Sequence, residues 1–157
     1  MAGCGEIWYK ENMIIGEYQS KIGDKKRIAL PKKMRDEIGN QLILTRGYEN
    51  CLVLVNKMMW ETVAKEVING SFINKSIRET SRFLVGSAVE VEPDIQGRFV
   101  IPQALFEHGK FNEEVVFIGL VNWIEIWDKQ EWDKKLKQLQ AKSSEIADEL
   151  TKMNTTK

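Results

Sequence analysis

Two guanidinium groups, Arg27 and Arg98, open the same short pattern at two places in this 157-residue chain. Arg27-Ile28-Ala29-Leu30-Pro31 returns as Arg98-Phe99-Val100-Ile101-Pro102, at a constant numbering offset of 71. An arginine held at the base of a stiff turn can clamp a phosphate or form paired hydrogen bonds to O6 and N7 of guanine. The surroundings of the two differ in sign. Residues 21–35 carry Lys21, Lys25, Lys26, Arg27, Lys32, Lys33 and Arg35 against Asp24 alone, a local charge of +6. Residues 90–108 carry Glu90, Glu92, Asp94 and Glu107 against Arg98, a local charge of −3. A dense basic patch on a chain of zero net charge suits a polyanion, since phosphate contacts supply most non-specific nucleic-acid affinity. A solvated face is the other reading of such a lysine run.

The elements that must hold these groups also repeat. Asn50-Cys51-Leu52-Val53-Leu54 returns as Asn122-Trp123-Ile124-Glu125-Ile126, and Trp60 as Trp132. The offset here is 72, so one loop differs by a residue. A strand over 13–20, a turn at Gly23-Asp24-Lys25-Lys26 and a strand to Leu30 lead to Pro31 and a short helix over 32–38, closed by Gly39. Apolar runs at 42–45 and 52–55 flank a hairpin-like loop at 46–50. The second copy follows the same order: a strand near 87–92, a turn at 94–97, a strand over 98–101, a helix begun by Pro102, and runs at 115–119 and 123–127. Each copy therefore reads β-β-α-β-β. Units of about fifty residues bury too little surface to be secure alone. They must pack on each other, on a second chain, or on both.

Helical spacing of Trp60, Val63, Ala64, Val67 and Ile68, then a second helix over 75–85, fills the connection. After the second copy, Trp132, Leu136, Leu139, Ser143, Ile146, Leu150 and Met153 form a heptad seam with Ser143 as its polar step. That stripe packs on its parent domain or joins chains. The last residues, 154–157, are expected to fray.

Other chemistry finds little support. Cys4 and Cys51 have no metal-like spacing and His108 is the single histidine, so neither a disulfide framework nor a zinc site is expected. No apolar run reaches about 18 residues, and no charged segment followed by an apolar run marks a secretory signal, so the cytosol is the expected location. Trp123, Trp127 and Trp132 could stack on bases, but their positions fit core packing better. Asp24 and Asp94 read as turn residues rather than as a catalytic carboxylate pair. No nucleophile constellation or phosphate-cradling glycine loop is present, which argues against an enzyme, a cofactor or a small-molecule substrate.

A larger set of residues carries a resemblance. Asp94-Ile95-Gln96-Gly97-Arg98-Phe99-Val100-Ile101-Pro102 is followed by Glu114-Val115-Val116-Phe117-Ile118-Gly119 and Ile124-Glu125-Ile126-Trp127. Upstream stand Arg82-Phe83-Leu84-Val85-Gly86-Ser87-Ala88, Gly16-Glu17-Tyr18 and Leu44-Thr45-Arg46-Gly47. In this order, from about Met13 to Leu136, they resemble the MraZ family of AbrB-like swapped-hairpin regulators. The resemblance implies an α+β, β-rich fold of two tandem SpoVT/AbrB-like domains, 17–59 and 88–131, packed as a pseudo-dimeric barrel. A helical linker at 60–86 and a C-terminal helix with tail at 132–157 complete it. It further implies a ring-shaped homo-oligomer, cytoplasmic and associated with the nucleoid. Such a ring would bind short direct repeats in double-stranded DNA upstream of division and cell-wall genes and regulate their transcription. Family members begin at a methionine in the position of Met13, so residues 1–12 are read as an extension without function.

The family's turn reads Asp-x-Lys/Gln-Gly-Arg. The second copy fits it with Asp94, Gln96, Gly97 and Arg98; in the first, Gly23 stands at the Asp position and Lys26 at the Gly position. What the first copy lacks in turn chemistry it has in charge. It is therefore expected to be the DNA face, with Arg27 nearest the bases and Lys25 and Lys26 on phosphates. Lys21, Lys32, Lys33 and Arg35 would be outer phosphate contacts. Arg98 reaches DNA or pairs with a carboxylate at a subunit contact. The competing reading is a structural or partner-binding module, including an antitoxin-like one.

Overall fold

The computed structural model describes residues 13–155. The first copy comprises β1 (Ile14–Lys21), β2 (Arg27–Ala29), α1 (Lys32–Ile38), β3 (Leu42–Arg46) and β4 (Cys51–Asn56). The connection holds α2 (Lys57–Ile68) and α3 (Lys75–Thr80), the latter running into a π-helical turn, Ser81–Val85. The second copy comprises β5 (Val89–Val91), β6 (Arg98–Val100), α4 (Gln103–His108), β7 (Glu114–Val121) and β8 (Ile124–Asp128), and α5 (Lys129–Thr155) follows. The order β-β-α-β-β is present in both, and the protein is α+β with antiparallel sheets.

Local chemistry explains the boundaries. Pro31 and Pro102, with φ of −56° and −58°, stand just before α1 and α4, where the missing N–H is not needed. Asn56 ends β4 and caps α2, its Oδ1 accepting from the Met59 N–H at 2.7 Å. Asp128 does the same between β8 and α5: buried, it accepts from the backbone N–H groups of Asn112, Gln130 and Glu131. Such caps satisfy amide donors that a helix start leaves open.

The two copies are not side by side but interleaved. The larger sheet has strand order β1-β7-β8-β4-β3-β5, and a second sheet consists of β2 and β6. Thus β1 pairs with β7 and β5 with β3, while β2 meets β6 and β4 meets β8. Among the named strands, the first two of each copy find their ladder partners outside their own hairpin: β1, β2 and β5 pair only with strands of the other copy, and so does β6. The register makes the two halves equivalent. Ile28 faces Phe99, its own counterpart at the offset of 71, and Val53 faces Glu125, its counterpart at the offset of 72. In the third strands the offset is larger. Leu42 faces Val91 where Val115 faces Ser20, so Val115 matches Leu42 at an offset of 73. Between helix and strand the second copy is longer by two positions, and at the following turn it is shorter by one. The single-position gap in sequence conceals that pattern.

The main core is built from both copies at once, with Ile28, Leu30, Met34, Leu44 and Leu54 against Phe99, Ile101, Leu105, Phe117 and Ile126. A second cluster lies around Cys51, Val116, Ile118, Trp127 and Trp132, and Leu136 and Leu139 of α5 pack on it. Trp127 and Trp132 are buried as expected, but Trp123 lies just before β8 beside the Leu120–Trp123 turn and is about one-third exposed. The heptad seam divides. Its first turns cover the sheet, whereas Ile146, Leu150 and Met153 are 40, 57 and 64% exposed. The expected fraying is not found at Asn154 or Thr155, which are still helical; residues 156–157 and the segment 1–12 lie outside the described residues.

Interleaving makes a direct prediction. A fragment ending at residue 86 keeps the β3–β4 hairpin but loses the partners of β1 and β2, and should lose most of the native strand signal as a monomer by circular dichroism. Co-expression with residues 87–157 should restore it. A monomeric, fully structured fragment would contradict this pairing.

Candidate nucleic-acid interface

The two arginine-bearing turns share a backbone frame. Gly23 N–H donates to the Arg27 carbonyl at 2.8 Å, and Asp94 N–H to the Arg98 carbonyl at 3.0 Å. Across the halves, Leu30 N–H donates to the Gly97 carbonyl at 2.8 Å, and Ile101 N–H to the Lys26 carbonyl at 3.0 Å. Both frames need a left-handed residue at the same place. Gly97 supplies it at φ +82° without a side chain to clash; Lys26 supplies it at φ +60°, preceded by Lys25 at φ +60°. Two consecutive left-handed lysines cost about 1–2 kcal/mol each, so the basic turn is the strained one.

Side chains then separate the turns. Asp94 accepts from the N–H groups of Gln96 and Arg98, both at 2.9 Å, and from Arg98 Nε at 2.9 Å. Those donors favour the carboxylate, the Arg98 N–H foremost, and hold Asp94 below the usual aspartate range. Arg98 is consequently tied to its own turn; the carboxylate expected beside it belongs to this chain. Gly23 provides no carboxylate, and among the described residues neither the Asp24 carboxylate nor the Arg27 guanidinium has a hydrogen-bond or ion-pair partner. Arg27 is exposed.

Lys21, Gly23, Asp24, Arg27 and Arg98 line one open cleft of about 310 Å³, floored by Ile28 and Ala29 of the β2–β6 ribbon. Lys25 is exposed at the turn, and Lys32 and Lys33 lie in the first turn of α1, both exposed. Lys26 is half-buried, with Nζ 5.6 Å from the ring centroid of Phe106. Arg35 points elsewhere: its Nη1 donates to the Ile95 carbonyl at 3.0 Å, in the opposite half's turn, and its Nε is buried without a partner among the described residues. Phe106 carries no motif of its own. Its one signal in the sequence is equivalence to Arg35 at the offset of 71.

Other groups are structural. His108 Nε2 lies 3.1 Å from the Gly47 carbonyl and 3.2 Å from the Glu49 carbonyl, so it carries the proton and ties α4 to the β3–β4 loop. Burial, then the carboxylates of Glu125 and Glu49, push the Cys51 thiol up to about 12, an unreactive group. Among the described residues no cluster of three His, Cys, Asp or Glu could hold a metal ion, and no helix is long and apolar enough to cross a membrane.

Fold and turns together define a duplicated β-rich module whose halves complete each other and which exposes one basic turn beside the β2–β6 ribbon. The pattern of the MraZ family, described as "MraZ protein, putative antitoxin-like", matches residues 13–83 and again residues 84–154. A protein of Caldanaerobacter subterraneus subsp. tengcongensis named transcriptional regulator MraZ is 36% identical over 142 residues, covering 90% of this chain and 99% of its own. A Thermoanaerobacter protein of the same name is 35% identical over the same shares, and one from Clostridium tetani is 37% identical over 78% of this chain and 86% of its own. The chain belongs to the MraZ family.

Two measurements probe the turns. Gly97→Ala should lower stability by about 1–3 kcal/mol in urea unfolding. At that position φ is positive and a Cβ would stand 2.6 Å from the Leu30 carbonyl oxygen. Since the folded turn favours ionised Asp94, its contribution is present above pH ~4 and is lost as pH falls through the lowered folded value. A carboxyl-carbon NMR titration should place the Asp94 midpoint below that of an unstructured aspartate; an equal or higher midpoint contradicts the assignment.

Proposed function

We propose that this chain is a sequence-specific DNA-binding transcriptional regulator. It reads short direct repeats in duplex DNA upstream of division and cell-wall genes, its own operon included, in the cytoplasm at the nucleoid. The observation that carries the reading is the exposed Arg27, without an ion-pair partner among the described residues, in a turn flanked by Lys21, Lys25 and Lys26, set against an Arg98 already bound to Asp94. The names of the relatives support a regulator of transcription. In this account the domains, 17–59 and 88–131, are swapped-hairpin AbrB-like units closed into one pseudo-dimeric barrel. Chains assemble as a closed ring, so that weak single-site contacts add through effective concentration. Arg27 lies nearest the bases, Lys25 and Lys26 face phosphates, and Lys21, Lys32 and Lys33 are outer contacts. Arg35 sits in that outer set only with whatever its bond to Ile95 leaves free.

A partner-binding role has one observation in its favour, the exposed outer half of α5 with Ile146, Leu150 and Met153. Pull-down of a protein partner that depends on residues 143–155, without a mobility shift of repeat DNA, would favour it.

Binding of a repeat-bearing duplex, followed by anisotropy, tests the main reading. Arg27→Ala should abolish specific binding, while Arg98→Ala should cost less. If six to ten phosphates are engaged, affinity should fall with salt at a logarithmic slope of roughly six to nine. A slope near zero, or equal losses in both variants with assembly intact, would refute the assignment.

A further inference from the structure

The basic turn is the more strained of the two and the less anchored. Its counterpart has Gly97 for the left-handed position and a carboxylate that accepts three hydrogen bonds. Here both Lys25 and Lys26 are left-handed, Gly23 has no side chain, and the Asp24 carboxylate makes no hydrogen bond among the described residues. Besides its backbone bonds, the lysine pair has a cation–ring contact among the described residues. Lys26 Nζ lies 5.6 Å from the centroid of Phe106, and that ring is itself steadied by Phe111, centroid to centroid 5.7 Å. Phe106 belongs to α4, in the opposite half.

Its equivalent in the first half is Arg35, at the same offset of 71, which reaches from α1 to the Ile95 carbonyl of the other turn. Each short helix therefore braces the turn of the other half. One does so with a guanidinium on a carbonyl, the other with an aromatic face beneath an ammonium. An aliphatic residue of similar bulk would still fill the space against Phe111, but it has no quadrupole to attract the cation.

We propose that Phe106 is a positioning residue for Arg27. Its ring holds the Lys26 ammonium, fixes the left-handed pair Lys25–Lys26 and so sets the direction in which Arg27 leaves the β2–β6 ribbon. The proposal deepens the DNA-binding reading and rests on it for its consequence, but the bracing itself is readable without DNA. Lys26 then serves architecture first, and Lys25 is the lysine left fully to phosphate.

Amide hydrogen exchange of the full chain decides the bracing. Phe106→Leu should speed exchange over residues 24–28 by about 2- to 5-fold, the size of one exposed cation–π contact. Phe106→Tyr should leave it unchanged, and residues 94–98 should not move in either variant. On a repeat-bearing duplex, Phe106→Leu should weaken binding by a similar factor and Phe106→Tyr should restore it. Affinity for a scrambled duplex should hold throughout. Equal behaviour of Leu and Tyr, no change over 24–28, or equal loosening of both turns would overturn the proposal. Should Phe106→Leu fail to fold, Lys26→Met against Lys26→Arg reads the same contact: Met should speed exchange over 24–28, Arg should not, and like behaviour of the two overturns it. A wild-type protein that ignores the repeat duplex would remove the DNA reading, while the exchange comparison would still decide what Phe106 does.

Discussion

Everything in this molecule depends on strands that find no ladder partner in their own half. β1 needs β7, β5 needs β3, and β2 and β6 need each other. The cross-half hydrogen bonds from Leu30 to Gly97 and from Ile101 to Lys26 extend that dependence into the turns. Because the main core draws on both copies, its burial depends on the cross-half ladders as well as on the β3–β4 and β7–β8 hairpins within each copy. Each copy shares its core with the other.

On that frame the two turns have diverged in opposite directions. The second keeps glycine and aspartate, so its backbone is relaxed and its arginine is spoken for. The first has lysine and glycine in their places, leaving a strained, strongly positive elbow with an exposed guanidinium. Strain at a turn persists only where the surroundings over-determine it. Here the surroundings are the ladder to β6 and the ring of Phe106.

Much of this is legible in the chain and some is not. The duplication, the β-β-α-β-β order and the charge contrast around Arg27 and Arg98 are local patterns, and local patterns survive in sequence. Which strands meet is not local: alternation marks Ile14–Lys21 as a strand but says nothing of β7 as its partner. Lys26 gives no hint of a positive φ, because lysine seldom adopts one. Arg35 looks like one more surface cation, since its acceptor, the Ile95 carbonyl, lies in the other copy. Trp123 departs from the core pattern because it stands one position before β8, outside the ladder that holds its counterpart Cys51.

The covalent joining of two equivalent halves has one more implication. In a symmetric pair of separate chains, any substitution strikes both turns at once, so a change that sharpens one surface also disturbs its twin. Here a single replacement, such as glycine to lysine at position 26 relative to position 97, alters one turn and spares the other. Tandem fusion thus lets one half hold the relaxed glycine turn while its sibling carries a charged one that a true dimer would have to accept in duplicate.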